Sequence, residues 1–147
     1  MISKWIFKQF IRLQIFMYRR SGGKTMGYVR GMPVMLLTTI GRKTGKQRVT
    51  PVVYIRDGDS YVITAAYAGA DKHPSWFVNL QANPKVMIEV SNVTRSVVAR
   101  QASAEEKKRL WAQLIAQAPF FEGYQQKTTR DIPMVILQQP HEEQPVG

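Results

Sequence analysis

Eight consecutive residues, Gly41-Arg42-Lys43-Thr44-Gly45-Lys46-Gln47-Arg48, carry four cations and two glycines. Cations at this density suit a multiply anionic ligand. Arginine can grip phosphate or carboxylate with two parallel hydrogen bonds. Glycines permit positive φ and bring backbone N–H groups close to a ligand, which builds an anion-binding concavity. The segment is not a nucleotide P-loop. That motif needs four residues between its glycines, then Lys and Ser/Thr, on a strand-to-helix turn. Here three residues separate the glycines, Gln47 follows Lys46, and the residues beyond read as a strand. On charge alone, a solvated hairpin tip is an equal alternative.

A second constellation lies downstream, in Ala65-Ala66-Tyr67-Ala68-Gly69-Ala70-Asp71-Lys72-His73-Pro74-Ser75-Trp76-Phe77-Val78-Asn79. The small residues leave room beside a flat ligand. His73-Pro74 precedes a short helix, whose first turn offers unpaired backbone donors. Trp76 and Phe77 can stack or pack, and Asn79 can bond a ring amide. The plain alternative is a helix packed on its own domain with Trp76 in the core.

The charge distribution agrees with an anionic partner. The net charge is +11, and the first acidic residue is Asp57. The whole positive excess therefore lies in the N-terminal third. Nucleic acid, an anionic membrane surface and a phosphorylated small molecule all fit such asymmetry. The chain has no cysteine, which excludes disulfides and thiolate metal centres. His73 and His141 are far apart without ligand spacing, so no metal site is expected. The apolar start is interrupted by Lys4, Lys8 and Arg12 and fits neither a signal peptide nor a spanning helix.

The elements that must hold these groups follow from periodicity. A length of 147 residues suits one domain. Residues 2–18 read as an amphipathic helix with Ile2, Ile6, Phe10, Leu13, Phe16 and Met17 as its stripe. Such a stripe more commonly packs on its own domain than lies on a membrane. Residues 21–33 are glycine-rich and read as loop. Val34–Ile40, Val49–Arg56 and Tyr61–Ala66 read as an antiparallel meander, with Asp57-Gly58 as a tight turn. The basic loop joins the first two strands. Ala68–Pro74 reads as loop, and Ser75–Ala82 as a short helix closed by Asn83-Pro84. Lys85–Val90 and Thr94–Ala102 form a second hairpin around Ser91-Asn92. A helix starts at Ser103, where Glu106 completes a capping box. Its apolar face is Leu110, Trp111, Leu114 and Ile115, and it ends before Pro119. Ile132–Leu137 is the last strand. The expected division is a helix at 1–20, one cofactor-binding unit at 21–137 and a flexible tail at 138–147. Six strands with flanking helices predict a closed or partly closed antiparallel barrel, which removes exposed edges.

Two stretches, LLTTIGRKTGKQRVTPVVYIRDGDSYVITAA and KHPSWFVNLQANPKVMIEV, resemble the deazaflavin-dependent nitroreductase family from about Tyr18 to Leu137. The resemblance implies an α+β, mainly antiparallel split β-barrel of the FMN-binding type. It implies an oxidoreductase that uses coenzyme F420, whose phosphodiester and oligoglutamate tail would match the charge excess. By analogy Arg42, Lys43, Thr44 and Arg48 hold the phosphate and tail. Thr50, Pro51, Val52, Val53 and Tyr54 would line the deazaflavin, as would Thr64, Ala65, Ala66 and Tyr67. Ser75, Trp76, Phe77, Val78 and Asn79 would close the other side. Hydride passes between the deazaflavin and a flat acceptor such as a quinone or nitroaromatic, with Tyr124 as candidate proton donor. Some relatives carry Ser near Ala66 and Tyr near Val53 and Phe121. The apolar residues here point to a quinone rather than a nitroimidazole.

Two other readings compete. One is an FMN- or FAD-dependent oxidoreductase on the same barrel, since fold does not fix function. The other is a non-enzymatic basic module for anionic lipid or nucleic acid. Nucleic-acid binding is not expected, because the aromatics fall on predicted apolar faces. Peripheral contact through residues 1–20, on the cytoplasmic side of a membrane, is compatible with enzymatic activity. The oligomeric state is left open.

Overall fold

Alternation along the strands sorts the apolar residues onto two faces, and both faces are covered. The computed structural model describes residues 3–140. Ile2 of the expected helix, His141 and residues 141–147 of the expected tail lie outside that range. The strands are β1 (Tyr28–Val29), β2 (Met32–Ile40), β3 (Gln47–Asp57), β4 (Ser60–Thr64), β5 (Lys85–Val90), β6 (Val93–Gln101) and β7 (Met134–Gln138). The helices are α1 (Lys4–Ser21), α2 (Ser75–Ala82), α3 (Ala104–Gln117) and α4 (Phe120–Gln126). The sheet runs β1-β2-β3-β4-β7-β6-β5, and β2 also pairs with β5. That last pairing closes six antiparallel strands into a barrel, and β1 is a short addition at β2.

The barrel interior holds Met35 and Leu37 of β2, Tyr61 and Ile63 of β4, Val86 and Ile88 of β5, and Val135 and Leu137 of β7. Trp76, Phe77 and Leu80 of α2 join this cluster. The outward residues Ile55, Val62, Met134 and Ile136 pack under Leu110 and Leu114 of α3 and Phe121 of α4. Ser103 caps α3 by accepting from the Glu106 N–H, and the Glu106 carboxylate accepts from the Ser103 N–H.

Four expectations need correction. The stripe on α1 does not pack. Ile6, Phe10, Leu13 and Phe16 are each more than half exposed, as is Trp5 at 69%. The helix instead turns Ile11, Ile15 and Tyr18 inward, and Tyr18 and Ile15 pack with Val34 and Leu36. Tyr18 decides the orientation. Its buried hydroxyl accepts from the Ser91 N–H and lies 3.0 Å from the Val34 carbonyl. Residues 21–33, read as loop, contain β1. A helix, α4, follows Pro119, where none was expected. Proline ends one helix but suits the start of the next, because its missing N–H lacks an intrahelical partner there anyway. Finally, β4 stops at Thr64, two residues early. Tyr67, Ala68 and Gly69 then take positive φ in a 3-10 turn, which no strand can continue.

Candidate functional site

The basic loop closes on itself at the β2–β3 junction. The Gly41 N–H donates to the Lys46 carbonyl and the Gly45 N–H to the Gly41 carbonyl. Gly45 has φ +70, and a Cβ at Gly41 would lie 2.8 Å from Thr44 Oγ1. Gly45 therefore suits its left-handed backbone, and a side chain at Gly41 would displace the Thr44 hydroxyl. The loop is also fixed from α2. Asn79, 4% exposed, accepts at Oδ1 from the Arg42 backbone N–H at 3.2 Å and from the Arg42 guanidinium at 2.8 Å. Its Nδ2 donates to Thr39 Oγ1. The Asn79 oxygen, expected to meet a ring amide, is committed to positioning the loop.

A groove of about 870 Å³ runs between α1, the loop, β3 and the first turns of α2. Nine of the expected residues meet there: Arg42, Lys43, Thr44, Arg48, Thr50, Pro51, Ser75, Trp76 and Asn79. The other wall comes from α1 and was not foreseen. It consists of Phe7, Lys8, Ile11, Arg12 and Ile15. The sequence held one signal for it, since Lys8 and Arg12 stand at i, i+4 beside the inward Ile11 and Ile15. Five cations thus line the groove, and no carboxylate is among its lining residues. The α2 N-terminus adds backbone donors, because Pro74 supplies no side-chain cap.

The remaining expected residues are placed differently. The side chains of Ala65 and Phe77 are buried in the barrel interior, and those of Val52 and Tyr54 pack against it half-buried; none of the four lines the groove. Burial pushes the Tyr54 hydroxyl up from its usual range. Val53 points outward, between the packing under α1 and that under α4. Thr64 and Val78 are half-buried, and Tyr67 is 50% exposed. Ala66 and Phe121 of α4 are buried together in the cluster beneath α3. Their apolar character serves packing, and it is not by itself evidence of a greasy acceptor site.

Tyr124 lies on α4, outside the groove lining. It packs edge-on against Phe120 and Phe121. The Arg30 guanidinium donates to its hydroxyl oxygen at 3.3 Å and lies 3.9 Å from the centre of the Phe120 ring. Arg30 was missing from the sequence reading, and a lone arginine in a glycine-rich loop gave no signal. Because the phenol oxygen accepts from Arg30, its own proton is free to go to another acceptor.

The model of a family described as F420H(2)-dependent quinone reductase matches residues 10–139. An F420H(2)-dependent quinone reductase of Mycobacterium tuberculosis is 37% identical over 145 residues, which is 92% of this chain and 97% of the relative. A solved F420-H2 dependent reductase, FDR-A, superposes with TM-score 0.67 at 34% identity, covering 76% of this chain and 98% of that one. Another solved structure, described as a domain-swapped dimer, has TM-score 0.69 and 31% identity over 91% of this chain and 97% of its own. A haem storage protein of Vibrio cholerae shares the fold alone, at 18% identity and TM-score 0.53 over 90% of this chain and 92% of its own. The split barrel, the basic groove and these matches together place the chain in the F420H(2)-dependent quinone reductase family.

Proposed function

We propose that the chain is an F420H2-dependent quinone reductase that holds its cofactor along the groove between α1, the Gly41–Arg48 loop and α2. The observation that carries this is the lining of five cations with no carboxylate among them. That donor set fits a phosphodiester and a chain of glutamates. Arg42, Lys43 and Arg48 would hold these anions, with Lys8 and Arg12 facing them from α1 and Thr44 shaping the loop. The backbone of Thr50–Tyr54 and of Thr64–Tyr67 would face the ring, and Ser75, Trp76 and Val78 would border it. Reduced F420 bound there supplies a hydride for a flat acceptor. The chain contributes binding, orientation and exclusion of water. Tyr124, with its oxygen held by Arg30, would pass a proton to the reduced quinone. Residues 21–137 would form the cofactor unit, with α1 as one wall of its groove.

Titration of the purified chain with F420, beside FMN, tests the reading. Micromolar or tighter F420 binding is expected, with weaker FMN binding. No F420 binding at ~100 μM, about 100-fold above the micromolar dissociation constant expected, would remove the proposal.

A peripheral membrane contact belongs to the same proposal. No helix among the described residues is long and apolar enough to cross a membrane. The outer face of α1, however, carries Trp5, Ile6, Phe10, Leu13 and Phe16, all exposed, on a helix that also bears Lys4 and Arg20. Apolar side chains flanked by cations suit the interface of an anionic bilayer, where a quinone dissolves. The inner face of the membrane is the proposed location.

A further inference from the structure

One side chain ties down the segment that joins the two ring-facing stretches, and it comes from a distant part of the chain. Arg130 lies in the connection between α4 and β7. Its guanidinium donates to the carbonyls of Ala65 at 2.9 Å, Ala66 at 2.8 Å and Ala70 at 3.2 Å. It also lies 2.9 Å from His73 Nδ1. Guanidinium only donates, so Nδ1 accepts and the imidazole proton sits on Nε2. No carboxylate pairs with Arg130 among the described residues. All four partners therefore lie on the segment from Ala65 to His73.

The anchor is itself anchored. The Arg130 N–H donates to Thr128 Oγ1, and its carbonyl accepts from Gln125 Nε2. The segment it grips needs a hold. Tyr67, Ala68 and Gly69 have φ of +47, +52 and +81, and Tyr67 and Ala68 are strained there because they carry side chains. Strain of this kind persists only where the surroundings over-determine it, and it clusters at functional sites. Gly69 is pressed against α4, since a Cβ there would lie 2.8 Å from the Tyr124 carbonyl.

We infer that Arg130 is a positioning residue for the cofactor site, fixing Ala65–Tyr67 relative to Ser75–Trp76 through its shared contact with neutral His73. The inference rests on the cofactor reading above. It carries a pH signature. Protonated His73 presents an N–H and a positive charge to the guanidinium, and the contact is lost. Burial and then Arg130 hold the His73 pKa below its usual value, and the charge of Asp71 acts on Arg130. The uncharged Phe77 ring packs on the imidazole, 4.8 Å between ring centres. The hold therefore favours neutral pH and weakens as acid protonates His73.

The test uses the full chain and two variants. Arg130→Lys keeps the charge but offers one nitrogen to four acceptors. His73→Gln supplies an acceptor oxygen that does not titrate. Hydrogen exchange of the residue 68–72 amides is measured without cofactor, and F420 affinity is measured from pH 7.5 to 5. In Arg130→Lys, exchange of these amides should quicken at least 10-fold and the F420 dissociation constant should rise about 10-fold. From pH 7.5 to 5, wild-type F420 affinity should fall at least 3-fold relative to His73→Gln. The cofactor's own titration is common to both proteins and cancels in that ratio. Unchanged exchange in Arg130→Lys, or wild type and His73→Gln running parallel across the pH range, overturns the inference. If Arg130→Lys does not fold, the His73→Gln comparison decides alone. If wild type binds no F420, the cofactor reading fails, and exchange in wild type against His73→Gln at pH 5 still decides whether the segment is held as described.

Discussion

Asn79 and Arg42 show how a cation is aimed rather than merely present. A free arginine loses rotamer entropy when it binds an anion. Here the Asn79 side chain holds both the Arg42 backbone and its guanidinium before any ligand arrives. Asn79→Ala removes that hold and leaves the buried Thr39 hydroxyl without its donor. The expected loss is about 1–3 kcal/mol of stability with weaker F420 binding, measured by thermal melting and titration. Lys43 and Arg48 are exposed and carry charge without such bracing. Lys43→Ala with Arg48→Ala should weaken F420 binding about 100-fold or more, because two charge-assisted bonds at roughly 1.5–3 kcal/mol each sum to about 3–6 kcal/mol. The melting temperature should change little. An unchanged dissociation constant would show that the loop does not hold the tail. Tyr124→Phe should lower kcat about 100-fold or more, the range of a lost general acid, and leave F420 affinity unchanged. Equal turnover would return Tyr124 to a packing role.

Among the elements, α1 has two working faces. Its inner face completes the groove, and its outer face leaves large apolar side chains in water. Full burial of such a side chain stabilises by about 1.5–3 kcal/mol, so two or three of them together support measurable vesicle binding. Phe10→Glu with Leu13→Glu should abolish flotation with anionic vesicles while F420 affinity, set by the inner face, stays within about 2-fold of wild type. Flotation equal to wild type would reject α1 as the contact. The start of α3 makes a pH prediction. Hydrogen bonding from Arg100 and the Ser103 backbone lowers the Glu106 pKa to about 2. A carboxylate with a lowered folded pKa binds its proton more readily when unfolded. Its contribution is thus present above about pH 4.5 and is lost as pH falls toward 2. Glu106→Gln should flatten the melting temperature over that window, and an unaltered acid profile would count against the capping account.

At the scale of the whole molecule, barrel closure couples the site to the core. Ile63 is fully buried in the interior, one position from Thr64 and the strained turn beyond. Ile63→Ala should destabilise by about 2–5 kcal/mol in denaturant melts. Much of this architecture was legible beforehand. β-branched runs split by Asp57-Gly58 and Ser91-Asn92 mark two hairpin turns, and the Ser103–Glu106 spacing marks the start of α3. The resemblance carried by the basic loop and the KHPSWFVN segment supplied the cofactor. Less legible were Tyr18, whose anchoring partners Val34 and Ser91 lie 16 and 73 residues away, and Arg30, whose partner Tyr124 lies 94 residues on.

The sequence by itself determined where the six barrel strands and the helices α1, α2 and α3 form, the concentration of positive charge before Asp57, and the glycine-dependent loop that bears it. These are local properties, set by periodicity, by φ preferences and by residue type within a few positions. Only the tertiary structure decided which arc of α1 faces inward, that Lys8 and Arg12 join the basic groove, and that Arg130 holds the turn after β4. The helix has more than one apolar arc, so its period cannot choose between them. That choice belongs to a buried hydroxyl and to carbonyls far away in the chain, which barrel closure brings within hydrogen-bonding distance.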